Sequence, residues 1–432
     1  MQNQPRASVI IPVWNGYDCV PACLRALCAQ NYPDFEILVV DNASPDGAGD
    51  VVERYFPQAR LLRASQNLGF SGGCNLGLHA AQGDILILLN QDTVVSSGWL
   101  KALSETAASD ASIGIVGCKT LYPDGTIQHA GGMVNVRGET RHIGAHEQDL
   151  GQYDLASEVD FVTGAALTIT RRAYEQVGDL DEGFSPAYYE DVDWCYRARE
   201  AGFRVVYTPA ATLIHAEHSL ASSATHQGMY DFHHHRLRFV LKHWPREALA
   251  QFAEAEQEYL HTLAPGGERL AAALYRSYLT HLLFLDDLMQ WRAKLLGSPG
   301  DEVDALAGLL LRLRATVSLP YDVGPTSLAS IQNLLDGLQQ LTWIEAKPLE
   351  PQLKRGGRII GALRKWVYDH FTAAYLAPVI QQQTECNRQV SALIERMLND
   401  RLRLAEVLTE YDVEARRELA DLALELRRLH RA

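Results

Sequence analysis

Three carboxylates fall within four residues in Tyr188-Tyr189-Glu190-Asp191-Val192-Asp193-Trp194, at the start of a segment with helical spacing. The N-terminal end of a helix dipole accepts acidic residues unaided, so the cluster alone has a purely structural explanation. The two tyrosines, and the loop Asp181-Glu182-Gly183-Phe184-Ser185 before them, point instead to a sugar platform beside a general base. Upstream, Asp92 follows the apolar run Ile85–Leu89 and the pair Asn90-Gln91, a position from which a carboxylate can hold a divalent cation. His215 ends another apolar run and offers a neutral imidazole to the same ion, although a lone histidine more often has a structural task. Asp41 closes the run Phe35–Val40, where it can accept from a base N–H or from ribose hydroxyls, or merely begin a turn. The loop Asn67-Leu68-Gly69-Phe70-Ser71-Gly72-Gly73-Cys74-Asn75 opens a helix and lets backbone approach a ligand closely, without a Walker pattern.

These groups match three physical tasks. To move a glycosyl group from a nucleotide sugar, base and ribose must be held, the diphosphate leaving group neutralised, and the acceptor hydroxyl deprotonated. A cation held by a carboxylate at a strand end does the second, and a second carboxylate does the third.

The elements that must position these residues follow from periodicity. Ser8–Val13, Phe35–Val40, Ala59–Leu62 and Ile85–Leu89 read as strands. Helical stretches separate them, one beginning after Asp18 as N-cap, one from Gly47 to Phe56 and one from Gly72 to Ala81. Apolar strands alternating with helices predict an α/β fold with a mainly parallel sheet covered on both faces. Ligands gather beyond the carboxyl ends of such strands, where Asp41 and Asp92 sit. From Ile113 to Trp244 the pattern is mixed, with strands around Phe161–Ile169, Arg204–Tyr207 and Ala211–His215 and a helix from Glu190 to Ala201. After Pro245 the strand signals fade, so residues 1–245 form the expected chemical domain and 246–350 an all-α one. Residues 351–432 hold an amphipathic segment and coiled-coil-like terminal helices.

Composition narrows the function classes. The 432-residue chain carries a net charge of −14, which disfavours general nucleic-acid binding. Seven cysteines form neither a CxxC pair nor a disulfide framework, and no apolar run approaches the roughly 20 residues of a membrane span. With no signal-peptide layout at the N-terminus, the expected location is cytoplasmic.

As an ensemble the motifs resemble the inverting family 2 glycosyltransferases of GT-A fold, especially a bacterial rhamnosyltransferase-like branch. The phrases are SVIIPVWNG (8–16), ILVVDNASPDG (37–47), NLGFSGGCNLGL (67–78), ILILLNQDTVV (85–95), FVTGAALTITRRAYEQVGDLDEGF (161–184), YYEDVDWCYRAREAGFRVVYTPAATLIH (188–215) and HHRLRFVLKHWP (234–245). The resemblance implies that Pro12, Val13 and Asn15 line the nucleotide pocket and that Asp41 meets base or ribose. It also implies that Asn67, Gly69 and Asn75 shape a donor-side loop, and that Arg236 reaches the diphosphate. Asn90-Gln91-Asp92 would be the metal motif, with Asn90 where the family has a first Asp, Gln91 orienting, and Asp92 and His215 as ligands of Mg²⁺ or Mn²⁺. Asp191 would be the base and Glu190 its neighbour, while Gly164, Ala165 and Trp194 would line the acceptor. The implied partners are a dTDP- or UDP-linked sugar donor and a glycan or lipid-linked glycan acceptor in polysaccharide assembly.

The C-terminal part adds two expectations. Arg358–Asn387 mixes Arg358, Arg364 and Lys365 with Trp366, Tyr368, Phe371 and Tyr375, which allows a peripheral membrane contact at the inner face or burial in its own domain. Apolar residues from Val390 to Leu429 step by three and four, as in a coiled-coil seam that makes a homodimer or packs on its own domain. Two rival functions stand beside the transferase. A sugar nucleotidyltransferase would want a basic glycine-rich loop near the N-terminus, and residues 12–18 contain no Lys or Arg. A non-catalytic glycan-binding scaffold would not need Asp41, Asp92, Asp191 and His215 intact.

Overall fold

The computed structural model describes residues 5–217, 226–263, 268–283, 285–297 and 302–317. The described residues fall in one compact unit, Met1–Leu319. The amphipathic segment and the coiled-coil seam expected from the sequence lie outside the described residues.

The chain begins with three strand–helix repeats and a fourth strand. They run β1 (Ala7–Val13), α1 (Val20–Cys28), β2 (Phe35–Asp41), α2 (Ala48–Tyr55), β3 (Ala59–Arg63), α3 (Gly69–Ala80) and β4 (Ile85–Leu89). β5 (Thr93–Val95), α4 (Trp99–Ser109), β6 (Ile113–Leu121) and β7 (Ile127–His129) follow. A small hairpin of β8 (Gly132–Val134) and β9 (Thr140–His142) comes next, then β10 (Ser157–Glu158), β11 (Ala166–Thr170), α5 (Arg171–Val177), α6 (Glu190–Glu200) and β12 (Arg204–His215). Helices α7 (His226–His243), α8 (Arg246–Thr262), α9 (Glu268–Leu283), α10 (Leu285–Leu296) and α11 (Glu302–Thr316) complete the unit.

The main sheet has the order β10-β12-β6-β11-β4-β1-β2-β3. β1, β2, β3 and β4 are parallel, as are β6 and β12. β11 inserts antiparallel between β4 and β6, so β6 and β12 regain the direction of β4. The expected α/β class and mainly parallel sheet hold. Why the runs are apolar on both sides is visible in the core. Ile10, Leu38, Val40, Leu86 and Leu88 face one buried cluster, and Val9, Ile11, Ile37, Val39, Ile87 and Leu89 face a second. Full burial of one such side chain stabilises by about 1.5–3 kcal/mol, and period-two alternation delivers it to both faces.

Three local expectations change. Asp18 does not cap α1: Cys19 holds the N-cap position and no side chain bonds there. The strand expected over 161–169 is confined to Ala166–Thr170, because residues before it turn to bond elsewhere, Phe161 bridging Gly132. The two strands expected at 204–215 are one, β12, with irregular register against β6 between Thr208 and Thr212. Close packing of α3 on the sheet rests on Gly77, since a Cβ there would strike the side chain of Ile10.

Candidate active site

The carboxyl ends of β1, β2 and β4 meet in one hydrogen-bonded cradle. Gln91 brackets the turn after β1: its Oε1 accepts from Trp14 N at 3.0 Å and its Nε2 donates to Trp14 O at 3.0 Å. Pro12 and Val13 are buried at the end of β1, and Asn15 N donates to Ser44 Oγ at 2.8 Å. Asp41, at the end of β2 and 5% exposed, accepts from Ser44 N at 2.9 Å and from Arg63 Nη1 at 3.1 Å. Next to it Asn42 organises the glycine-rich loop. Its Nδ2 donates to Asn67 Oδ1 (3.0 Å) and Gly69 O (2.9 Å), and its Oδ1 accepts from Leu68 N (2.9 Å). Gly69 has φ +71°, a left-handed conformation that glycine adopts at little cost. Asn75 points elsewhere: it is buried and spends its amide on Leu180 N and O and on Glu182 Oε1. It ties α3 to the 180–182 loop.

β12 delivers His215 to the β4–β5 connection, in register with Thr93. His215 Nε2 lies 3.2 Å from Asp92 Oδ1 and 3.3 Å from Asn90 Nδ2. On its other side His215 Nδ1 meets Gln128 Oε1 at 2.8 Å, while Gln128 Nε2 donates to Glu217 Oε2 at 3.3 Å. The latter bond orients the Gln128 amide with its oxygen toward the ring, so Nδ1 donates to Gln128 and Nε2 is the ring atom that faces Asp92 and Asn90. Asp92 and His215 are thus brought together, although no group of three His, Cys, Asp or Glu gathers among the described residues. Cys23 packs beneath this turn against Asn90 O and Thr93 Oγ1, and burial pushes its thiol up to about 12. It stays a neutral packing group.

On the other flank Asp191 lies in the first turn of α6. Its Oδ2 accepts from Gly164 N at 2.6 Å and its Oδ1 from Val192 N at 2.8 Å. The next residue, Ala165, accepts through its carbonyl from Asn90 N at 3.0 Å. The strap Gly164-Ala165 therefore touches the β4 end on one side and Asp191 on the other. Burial raises the Asp191 carboxyl above its ordinary value, against the pull of the Gly164 and Val192 N–H groups. Glu190, buried beside it, has an Oε2 without a hydrogen-bond partner. Burial, and then the Asp191 charge, hold its carboxyl well above the usual range. Tyr188 and Tyr189, at φ +81° and +71°, make the sharp entry to α6; left-handed backbone costs non-glycine residues roughly 1–2 kcal/mol each.

The third carboxylate does different work. Asp193 is fully buried among Arg197 Nε (2.8 Å), Lys242 Nζ (2.7 Å) and His243 Nε2 (2.8 Å). Two further expectations are corrected. Arg236 is fully buried and its terminal nitrogens bind both oxygens of Glu256 and the Arg137 carbonyl, so it is turned into the core and away from a diphosphate. Trp194 is fully buried in the core with its Nε1 on Gly178 O at 2.9 Å, so it cannot line an acceptor. Asn42 and Gln128 escaped the sequence reading. Asn42 directly follows Asp41 and Gln128 lies in a polar stretch, and only the fold shows that each amide holds another site residue.

Residues 8–178 match the family model described as Glycosyl transferase family 2. An uncharacterized protein, y4gI, of Sinorhizobium fredii is 32% identical over 231 residues, covering 50% of this chain and 25% of its own length. The O-antigen biosynthesis protein RfbC of Myxococcus xanthus is 31% identical over 227 residues, covering 50% of this chain and 18% of its own. An N-acetylglucosaminyl-diphospho-decaprenol L-rhamnosyltransferase of Mycobacterium tuberculosis is 28% identical over 241 residues, covering 50% of this chain and 77% of its own. The chain thus spans a quarter or less of the first two relatives. The strand-end cradle lies within the matched segment, and residues 8–178 are the part of this chain similar to glycosyl transferase family 2.

Proposed function

We propose that the chain is an inverting glycosyltransferase that moves a sugar from a nucleoside-diphosphate donor to a glycan or lipid-linked glycan acceptor. The observation that carries this reading is the Gly164-Ala165 strap, which joins Asp191 to Asn90 and so puts a general base and a cation-binding pair on opposite sides of one short segment. The name of the mycobacterial relative favours a rhamnosyl donor and a lipid-diphosphate acceptor, with dTDP or UDP as the nucleotide.

The residues at β4 and β12 fit a divalent cation, Mg²⁺ or Mn²⁺. Asp92 Oδ1 and His215 Nε2 lie 3.2 Å apart, and a carboxylate oxygen with an imidazole nitrogen is a donor set that such a cation takes. The Gln128 contact at Nδ1 is the kind of bond that orients a metal-ligating imidazole. A cation there would offset the charge developing on the departing diphosphate. Asp191 takes the proton of the acceptor hydroxyl as that oxygen bonds to the anomeric carbon. The bond from that carbon to the diphosphate oxygen breaks on the opposite side, which inverts the configuration. Gly164 and Val192 hold the Asp191 carboxylate in place, and the cradle of Gln91, Asp41 and Asn42 shapes the nucleotide side.

Asp191→Asn is expected to abolish transfer while donor affinity, measured by calorimetry, stays nearly unchanged. Retained turnover or lost donor binding sinks the base assignment. Asp92→Ala is expected to remove the metal-dependent part of donor binding; identical titrations with and without EDTA for both forms refute the metal pair.

A further inference from the structure

One of the contacts between the helices after β12 and the base helix is made by the residue at its very start. Tyr189 occupies the N-cap position of α6, and its carbonyl accepts the first helical bond from Asp193 N at 2.8 Å. It immediately precedes Glu190-Asp191. Its left-handed backbone at φ +71° is held by its side chain, which is 3% exposed. The ring packs against Phe232 and Phe239 of α7, with centroids 5.5 and 5.7 Å away, and the hydroxyl donates to Gly138 O at 2.8 Å.

Gly138 belongs to a turn between β8 and β9 that is itself clamped. Asn135 Oδ1 accepts from Arg137 N (2.9 Å) and Glu139 N (3.0 Å). Gly138 sits at φ +72° so close to α7 that a Cβ would strike Val240. Glu256 of α8, fully buried, then gathers Arg137 Nε (2.9 Å), the Arg236 guanidinium and the Tyr278 hydroxyl (2.6 Å). Trp244 Nε1 closes the same turn by donating to Val136 O at 2.9 Å. Groups from α7, α8 and α9 thus converge on one short turn, whose carbonyl holds the residue that starts the base helix.

We propose that Tyr189 is a positioning residue for Asp191, and that the helical segment after residue 245 acts on transfer by clamping the 135–139 turn through Glu256. This rests on the reading of Asp191 as general base. The hydroxyl bond to Gly138 O fixes the entry angle of α6, and with it the reach of the Asp191 carboxylate toward the acceptor oxygen. Small displacements of a reacting group reduce rates steeply.

The test compares Tyr189→Phe, Glu256→Gln and their combination in the full chain, with Asp191→Asn as reference. Tyr189→Phe keeps the ring and removes only the hydroxyl. The expected result is a kcat lower by roughly tenfold, with donor KM and donor affinity unchanged. The double variant should fall no further than the worse single one, because both changes break the same chain of contacts. Where Glu256→Gln fails to fold, Asn135→Ala on the exposed side of the same turn replaces it in the cycle. The proposal is overturned if Tyr189→Phe retains full kcat, if donor KM rises as kcat falls, or if the two losses multiply. An Asp191→Asn variant that still turns over defeats the base assignment itself. An inactive Asp191→Asn beside a fully active Tyr189→Phe defeats only the positioning role.

Discussion

Lys242→Met is the sharpest probe of how the base helix is held. The Lys242 ammonium is fully buried, 2.8 Å from Asp181 Oδ2, 2.7 Å from Asp193 Oδ1 and 3.6 Å over the Trp291 ring. Removing one partner from a buried ion pair costs about 3–5 kcal/mol, because a charge is left uncompensated. Here each carboxylate keeps another cation, Arg238 at 3.0 Å for Asp181 and Arg197 at 2.8 Å for Asp193. Methionine also restores most of the apolar stem. The lower end, about 3 kcal/mol, is therefore expected. With an unfolding entropy of about 2.1 cal/mol/K per residue, that is a Tm lower by roughly 4 °C for a unit of this size. Equilibrium urea unfolding at neutral pH measures it as a lower midpoint at unchanged slope. The pH dependence supplies a second check. Burial alone would raise the Asp181 and Asp193 carboxyls, but Lys242 with Arg238 or Arg197 outweighs it and holds both below their ordinary values. A depressed carboxylate stabilises the fold above its unfolded pKa of about 3.9, and that stability is lost as pH falls through the folded value. The wild type has more of this to lose, so the two proteins should converge below about pH 4. A loss under about 1 kcal/mol, or a gap that stays constant from pH 7 to pH 3, refutes the reasoning.

Two other outcomes follow from the site. Burial raises the Asp191 carboxyl, and the base works only when deprotonated. The rate therefore falls as pH drops through the raised value, placing the acid limb of kcat/KM above the usual carboxylate pKa of about 3.9; a limb at or below it contradicts the burial argument. Asn42→Ala removes three hydrogen bonds to the 67–69 loop and is expected to weaken donor binding about tenfold, or ~1.4 kcal/mol, with acceptor KM unchanged. Unaltered donor affinity by calorimetry would show that the loop needs no such support.

What the sequence discloses and what it hides divide along physical lines. Val9–Val13, Ile37–Val40 and Ile85–Leu89 are apolar at every position because both faces of those strands are buried, so they read directly as central parallel strands. β11, with Thr168 and Thr170 among its five residues, is also buried at every position, and burial does not record its antiparallel direction. Asp41, Asp92, Asp191 and His215 stand out as candidates because each lies where an apolar run ends or a helix starts. Arg236 and Trp194 were misread because a guanidinium or an indole has the same letter whether it faces a ligand or the core. Their true surroundings depend on Glu256 and Gly178, which no local pattern connects to them. Asn42 and Gln128 were invisible for the complementary reason: a side-chain amide becomes informative only when its partners are known.

The insertion of β11 beside β4 bears on how the chain is made. β4 is the five-residue run ILILL, paired with β1 on one edge. Its other edge waits for Ala166–Thr170. During synthesis from the N-terminus, the first four strands and their helices can assemble while this apolar edge still lacks its neighbour. An unpaired, uncharged edge of that kind is a template for strands of other chains. Fragments that stop short of β11 should therefore be prone to aggregate even though the cradle residues 12–92 are complete. The family match, ending at residue 178, extends just past the point where that edge is closed.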